Sequence, residues 1–247
     1  WKLIWYIFNH KVFAGYDSKG ERQYRGPEIA VITPFTSQVK GIFHELEKFL
    51  RKNKDLEKEV NGRGGRLYTQ TPPLKMEFKN GAIITGYVSG ASAKDDDTGG
   101  GIIRGTNADI IYMDEMDMIP DSILQSVILP LLITRPNVVL IGSSTPIGKV
   151  ATFHKWCLRS PYFKEVYVPS TVLPQWDAVE REILEESTGD AFKAEYMADF
   201  IEQQSGVFKH RYIQEARADY DTHRLIIRIF GSRNLVKIHI SSGLVLV

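Results

Sequence analysis

Two adjacent carboxylates at the end of an apolar run are the residues best placed to do chemistry. Ile110-Ile111-Tyr112-Met113 leads directly into Asp114 and Glu115. A buried strand that delivers two acids to its carboxyl end puts them where ligands bind in open α/β sheets. Nucleotide hydrolysis uses such a pair. One carboxylate helps to hold Mg2+, through water, because Mg2+ keeps part of its hydration shell. Its neighbour orients and deprotonates the attacking water. Adjacent strand residues point in opposite directions, which separates the two roles. The plainer alternative is a solvated strand end leading into a helix cap. Asp117, taken by itself, reads as a surface charge near a turn.

A second cluster follows about thirty residues later. Ser143-Ser144-Thr145-Pro146 ends the apolar run Val138-Val139-Leu140-Ile141-Gly142. Small hydroxyls there can bond a phosphate, a water or the acid pair without filling the space. Taken alone they are a Ser/Thr turn stopped by Pro146. Beside an acid-bearing strand they read as part of one site.

The rest of the chain supplies elements to carry these tips. Trp1, Ile4, Trp5 and Phe8 recur at spacings that predict a helix with one buried face. Residues 15–26 read as a Gly-bearing loop, and 28–33 (EIAVIT) as a buried strand stopped by Pro34. Thr36 or Ser37 is expected to cap a helix running to about Leu50, with Val39, Ile42, Phe43 and Leu46 on one face. Residues 51–66 read as an exposed connection. Residues 74–78 and 82–88 flank Lys79-Asn80-Gly81, a strong hairpin signal. Residues 89–101 are small and acidic, and read as a mobile loop; Asp95-Asp96-Asp97 lies within it. Helices are expected at 121–132, 149–158, 176–187 and 190–200, and a further strand at 164–168. Trp5, Trp156 and Trp176 are assigned to packing. Near-continuous apolar strands alternating with helices predict a mostly parallel sheet covered on both faces.

Composition sets bounds on function. The 247 residues are 43% hydrophobic and carry a net charge of +1, so DNA contact would need a local basic patch rather than a global excess. A single cysteine, Cys157, excludes an internal disulfide framework. No apolar run approaches the roughly 20 residues of a membrane helix. The chain starts without Met inside a periodic apolar segment, which reads as a cut end.

In their order and spacing these motifs resemble the large terminase subunit of tailed bacteriophages, over roughly residues 1–220. Arg104-Gly105 followed by Ala108-Asp109-Ile110-Ile111-Tyr112-Met113-Asp114-Glu115 resembles its Walker B region. Val138 to Pro146 resembles its coupling motif, and Ile29 to Pro34 with the following helix its second strand and helix. Pro72 to Gly81 resembles its hairpin. Glu195-Tyr196-Met197-Ala198-Asp199-Phe200 and Gly206-Val207-Phe208 resemble the segment that closes its ATPase domain.

The resemblance implies a P-loop NTPase-like three-layer α/β fold with a mainly parallel central sheet and a peripheral β-hairpin. It implies an ATPase domain over 1–208, and over 209–247 a linker and truncated start of an RNase H-like nuclease domain. Asp114 would be the Mg2+-associated carboxylate and Glu115 the catalytic one. Ser143, Ser144 and Thr145 would couple hydrolysis to movement. Arg104 would be an arginine finger offered to a neighbouring subunit; its alternative is a loop arginine paired with Asp109 or solvent. The implied function is ATP-driven translocation of double-stranded DNA into a viral procapsid. Its implied cofactors are ATP and Mg2+. Its implied partners are DNA, the small terminase subunit, the portal protein and other copies in a ring, in the host cytoplasm and with no membrane.

Two features depart from the family. No G-x-x-x-x-G-K-[ST] occurs, so the backbone cradle for the β- and γ-phosphates is missing and the chain alone is expected to be a weak or inactive ATPase. No Asp or Glu follows Asp221, so two-metal nuclease chemistry is not expected. Arg63 and Arg66, among Gly62, Gly64 and Gly65, form a basic loop that could touch phosphates. Lys48, Arg51, Lys52, Lys54 and Lys58 alternate with acids and read as a solvated face. The competing readings are a helicase-like nucleic-acid-dependent ATPase and an inactive pseudo-ATPase remnant that only docks.

Overall fold

Residues 29–32 are apolar on both sides of the strand, and the fold is built around that fact. The computed structural model describes residues 2–62, 64–71, 73–90, 103–135, 137–146, 148, 152–161, 163–177, 180 and 189–201. These all fall within one compact unit, Trp1–Ile201. The expected nuclease start, the acidic loop beyond Gly90 and most of the helix expected at 176–187 lie outside the described residues.

Strand β3 (Glu28–Thr33) is central. It pairs in parallel with β5 (Ile83–Val88) on one side and β6 (Ile110–Asp114) on the other. Beyond β6 lies β7 (Val139–Ser143), also parallel. Beyond β5 lies β4 (Leu74–Glu77), antiparallel and joined to it through the Asn-Gly turn. The sheet order is therefore β4-β5-β3-β6-β7. The hairpin read at 74–88 thus forms one margin of the main sheet. A separate two-stranded hairpin, β1 (Val12–Tyr16) with β2 (Arg22–Arg25), occupies the stretch expected to be a loop. Asp17 makes its turn by accepting the Lys19 and Glu21 amides.

Alternation along β3 divides the core in two. Ile29 and Val31 face α2 (Thr36–Lys52), meeting Val39, Phe43, Leu46 and Leu50, with Ile4 and Ile7 of α1 (Lys2–Asn9) in the same cluster. Ala30 and Ile32 face the other layer, where Ile111 and Met113 meet Leu124, Val127, Ile128 and Leu131. Those four lie on α4, which spans 121–131. Its middle, Leu124–Ile128, is a π-turn, and Leu129 donates five residues back to Leu124. Pro130 explains the wide turn, since it lacks an N–H and its ring displaces the carbonyl four residues earlier. Gly86 lets α2 approach: a Cβ there would lie 2.7 Å from Phe43 Cε2 and 3.1 Å from Val39 Cγ2.

Several local expectations are corrected. The buried face of α1 is Ile4 and Ile7, while Trp5 is 51% exposed. The N-cap of α2 is Phe35, with no side-chain cap from Thr36 or Ser37. The connection after α2 holds a short helix, α3 (Lys54–Lys58), capped by Asn53. Its charges pair locally, Arg51 with Glu47 and Glu57, and Lys54 with Glu57, as a solvated face should. Residues 164–168 join no described strand, and Val166 and Val168 are exposed. Apolar β-branched content makes a strand only where a partner offers its edge. The C-terminal helix, α6 (Gly189–Glu195), ends before the expected residue 200, and Ala198 is left-handed at φ 55°.

Asp109, 8% exposed, anchors the amino end of β6. Arg25 grips it with two N–H groups at 2.8 and 3.2 Å, Arg135 donates at 2.8 Å, and the Glu28 amide adds a fourth bond. Burial by itself raises the Asp109 pKa, but these donors together outweigh it and hold the carboxyl below its ordinary value. A depressed folded pKa gives stability that is present above the unfolded pKa, about 4, and is lost as pH falls through the folded value. Asp109→Ala removes the carboxylate that Arg25 and Arg135 share and leaves Glu28 to serve both, and is expected to cost about 3 kcal/mol. Urea unfolding should show this loss at pH 7 and a smaller difference from the parent as pH drops below about 4. In the same assay Gly86→Val is expected to cost about 2 kcal/mol by overpacking against Phe43.

Candidate active site

The parallel register of β6 and β7 sets Asp114 directly opposite Ser143. Ile110, Ile111 and Met113 of β6 are buried and Tyr112 is half-buried, so the end of the strand is fixed by core packing on both faces. The chain then breaks sharply. Glu115 adopts φ 50° and ψ 48°, a left-handed conformation that costs a non-glycine residue about 1 kcal/mol. A 3-10 turn, Met116–Met118, follows, with Met116 inserted in the core. Backbone strain at a candidate catalytic residue, held by a buried neighbour, is a common mark of a functional position.

Each carboxylate has its own serine. Ser143 Oγ donates to Asp114 Oδ1 at 2.9 Å, and the Tyr112 hydroxyl lies 3.2 Å from the same oxygen and 2.9 Å from Ser143 Oγ. No described residue donates to Asp114 Oδ2. Ser144 Oγ lies 3.4 Å from Glu115 Oε2. Thr145 contributes its carbonyl, which accepts from Ser144 Oγ at 3.0 Å. Burial, ahead of the neighbouring Asp114 and Glu115 charges, raises the Tyr112 pKa, so the phenol stays a protonated donor.

Asp117 belongs to the site, against its reading as a surface charge. The 3-10 turn swings it back under the tip of β7. Its amide donates to Ser144 Oγ at 3.1 Å, and its Oδ2 accepts from the Gly148 amide at 3.3 Å. A carboxylate three residues after the first acid, on a tight turn, is the signal that could have revealed it.

The other candidates lie elsewhere. Arg104 is exposed and precedes the amino end of β6, whereas the acid pair stands at the carboxyl end. Its alternative partner Asp109 is taken by Arg25 and Arg135. Arg66 is exposed and lines a groove of about 360 Å³ with Asn61, Tyr68 and Lys75 beside β4. That strand is three strand spacings, about 14 Å, from β6, so the groove is separate from the acid pair. Arg63 lies outside the described residues.

The groups around Asp114 are all oxygen, with neutral hydroxyls on Oδ1 and no described donor on Oδ2. They suit a hard cation that keeps water and takes its remaining ligands from a phosphate. Among the described residues no group of three His, Cys, Asp or Glu could cage a metal without such help.

A mostly parallel five-stranded sheet with helices on both faces is a three-layer α/β fold. More particularly, it is the fold of the ATPase domain of phage large terminases. The Thermus phage P74-26 large terminase ATPase domain matches with a TM-score of 0.56 at 21% identity, over 81% of each chain. The HK97 bacteriophage large terminase matches with a TM-score of 0.50 at 12% identity, over 71% of this chain and 40% of that one. The large terminase of a thermophilic bacteriophage, solved in complex with ADP, matches with a TM-score of 0.50 at 11% identity, over 72% and 42%. No protein-family model and no curated protein matches the sequence.

Cys157, on α5 (Thr152–Arg159), reports on the packing beside Asp117. Burial first, then Glu165 and Asp117, raises its pKa to about 11. At pH 7.5 iodoacetamide is expected to modify it roughly a hundredfold more slowly than in urea-unfolded protein, because so little thiolate is present. Mass spectrometry of timed samples checks this.

Proposed function

We propose that this chain is the ATPase part of a large terminase subunit, which drives double-stranded DNA into a viral procapsid by hydrolysing ATP. The observation that carries this reading is the pairing of Asp114 with Ser143 and of Glu115 with Ser144 across two parallel strands of a terminase-type sheet. Asp114 would hold Mg2+ through Oδ2 and water, and the cation would neutralise charge on the polyphosphate. Glu115 would orient the attacking water and take its proton. Ser144 touches Glu115 and the Asp117 amide at once, so a shift of the acid on hydrolysis is passed to the loop after β7.

Arg104, exposed and before the amino end of its strand, would act as a finger only on a neighbouring copy in a ring. The Arg66 groove, with Arg63, would meet DNA phosphates. The small terminase subunit and the portal would be its partners, in the host cytoplasm and during docking on the procapsid. Among the described residues no helix is long and apolar enough to cross a membrane.

ATP also needs a phosphate cradle. The open edge of β7 offers a place for one. Val139, Leu140 and Ile141 are apolar yet only partly buried, Gly142 is exposed, and no described strand pairs beyond β7. A strand added there would end beside Ser143 and could deliver a loop of backbone N–H groups to the phosphates. Residues 1–247 alone are expected to hydrolyse ATP poorly.

In the native full-length polypeptide, Glu115→Gln is expected to lower kcat at least a hundredfold while KM for ATP stays within about threefold, since the carboxylate acts in the transition state. DNA-stimulated phosphate release measures this. Hydrolysis by the variant at the parent rate would falsify the assignment.

A further inference from the structure

Tyr112 is two residues before Asp114 on the same strand, so both side chains leave the same face. Its ring packs against the α2-side core, and its hydroxyl sits within reach of Asp114 Oδ1 and Ser143 Oγ. The two hydroxyls hold one proton each. With β7 in place, Tyr112 can donate to Ser143, and Ser143 to Asp114. Ser143 has another acceptor, the Met113 carbonyl at 3.4 Å, and stands on a different strand. Among the described residues Tyr112 has no such alternative: both its acceptors belong to this triangle. The phenol oxygen stands 3.2 Å from Asp114 Oδ1, so its proton has a route to the carboxylate that does not pass through Ser143.

We infer that Tyr112 is a positioning residue: its hydroxyl keeps Asp114 Oδ1 occupied, so that Oδ2 stays turned outward to the hydrated metal whichever way the tip of β7 stands. The inference rests on the reading of Asp114 as the Mg2+-associated carboxylate.

Tyr112→Phe keeps the ring and removes only the hydroxyl. The test uses the native full-length polypeptide with ATP, titrated with Mn2+ and followed by electron paramagnetic resonance, alongside the Mg2+ dependence of hydrolysis. Loss of an outer-shell partner is expected to weaken metal binding about tenfold, with kcat at saturating metal within about threefold of the parent. Ser143→Ala should cost more in the Tyr112→Phe background than alone, since the double variant takes both hydroxyls from Asp114 Oδ1. A variant whose kcat falls while its metal half-saturation does not move shows a packing role and overturns the inference, as does a variant identical to the parent. Asp114→Asn separates the two levels. If it leaves metal binding unchanged, the assignment of Asp114 fails as well; if it abolishes binding and Tyr112→Phe has no effect on binding, only the inference about Tyr112 fails.

Discussion

The register between β6 and β7 is the constraint from which the site follows. Five successive residue pairs run from Ile110 with Val139 to Asp114 with Ser143. A slip by one residue would turn Asp114 and Tyr112 to the opposite face and remove Ser143 from reach. What prevents the slip is burial. Ile110 faces the layer that contains α2, and Ile111 and Met113 face the layer that contains α4. Either would be carried to the wrong environment. Polar chemistry at the sheet edge is therefore aligned by apolar packing several residues away.

The two ends of β6 use carboxylates in opposite ways. Asp109, just before the strand, is enclosed by two arginines and an amide, so its charge is cancelled locally. Asp114, at the other end, meets only neutral hydroxyls among the described residues. Hydroxyls orient a carboxylate without neutralising it, and that leaves the charge available to a cation. Compensated charge holds the strand in place, while the charge at the other end is oriented but not cancelled by the described residues around it. The same residue type on the same strand serves both purposes because of what its neighbours can donate.

Much of this is legible in the chain itself. Apolar runs at 28–33, 110–113 and 138–142 mark three of the four parallel strands, because strands buried on both faces need continuous apolar sequence. Asn80-Gly81 marks the β4–β5 turn. The acid pair and the serines can be assigned to strand ends, since both follow directly on such runs. Other features depend on partners that no local pattern reveals. The β1–β2 hairpin carries aromatic and basic residues exposed on both sides, so it lacks the alternation that signals a half-buried strand. Residues 164–168 have strand composition but no described partner. Asp117 escapes a sequence reading because its role depends on a 3-10 turn and on a loop about thirty residues later. Tyr112 reads as one more apolar residue of the run, although its hydroxyl meets the acid pair.

The strain at Glu115 joins these points into one device. A strand that continued straight would send Glu115 to the face opposite Asp114, into the layer that holds Met113. The left-handed turn avoids this. It ends β6 one residue after Met113 and drops Met116 into the core, where its Sδ lies so near Gly142 that a Cβ there would stand 2.7 Å away. The fit of Met116 against Gly142 on β7 therefore helps to fix the turn, and the turn aligns Glu115 with Ser144 and the Asp117 amide with the same oxygen. Movement of β7 along β6 would disturb the Met116 contact and the Ser144 contacts together. The geometry of this strained acid therefore cannot change without a change in the neighbouring strand.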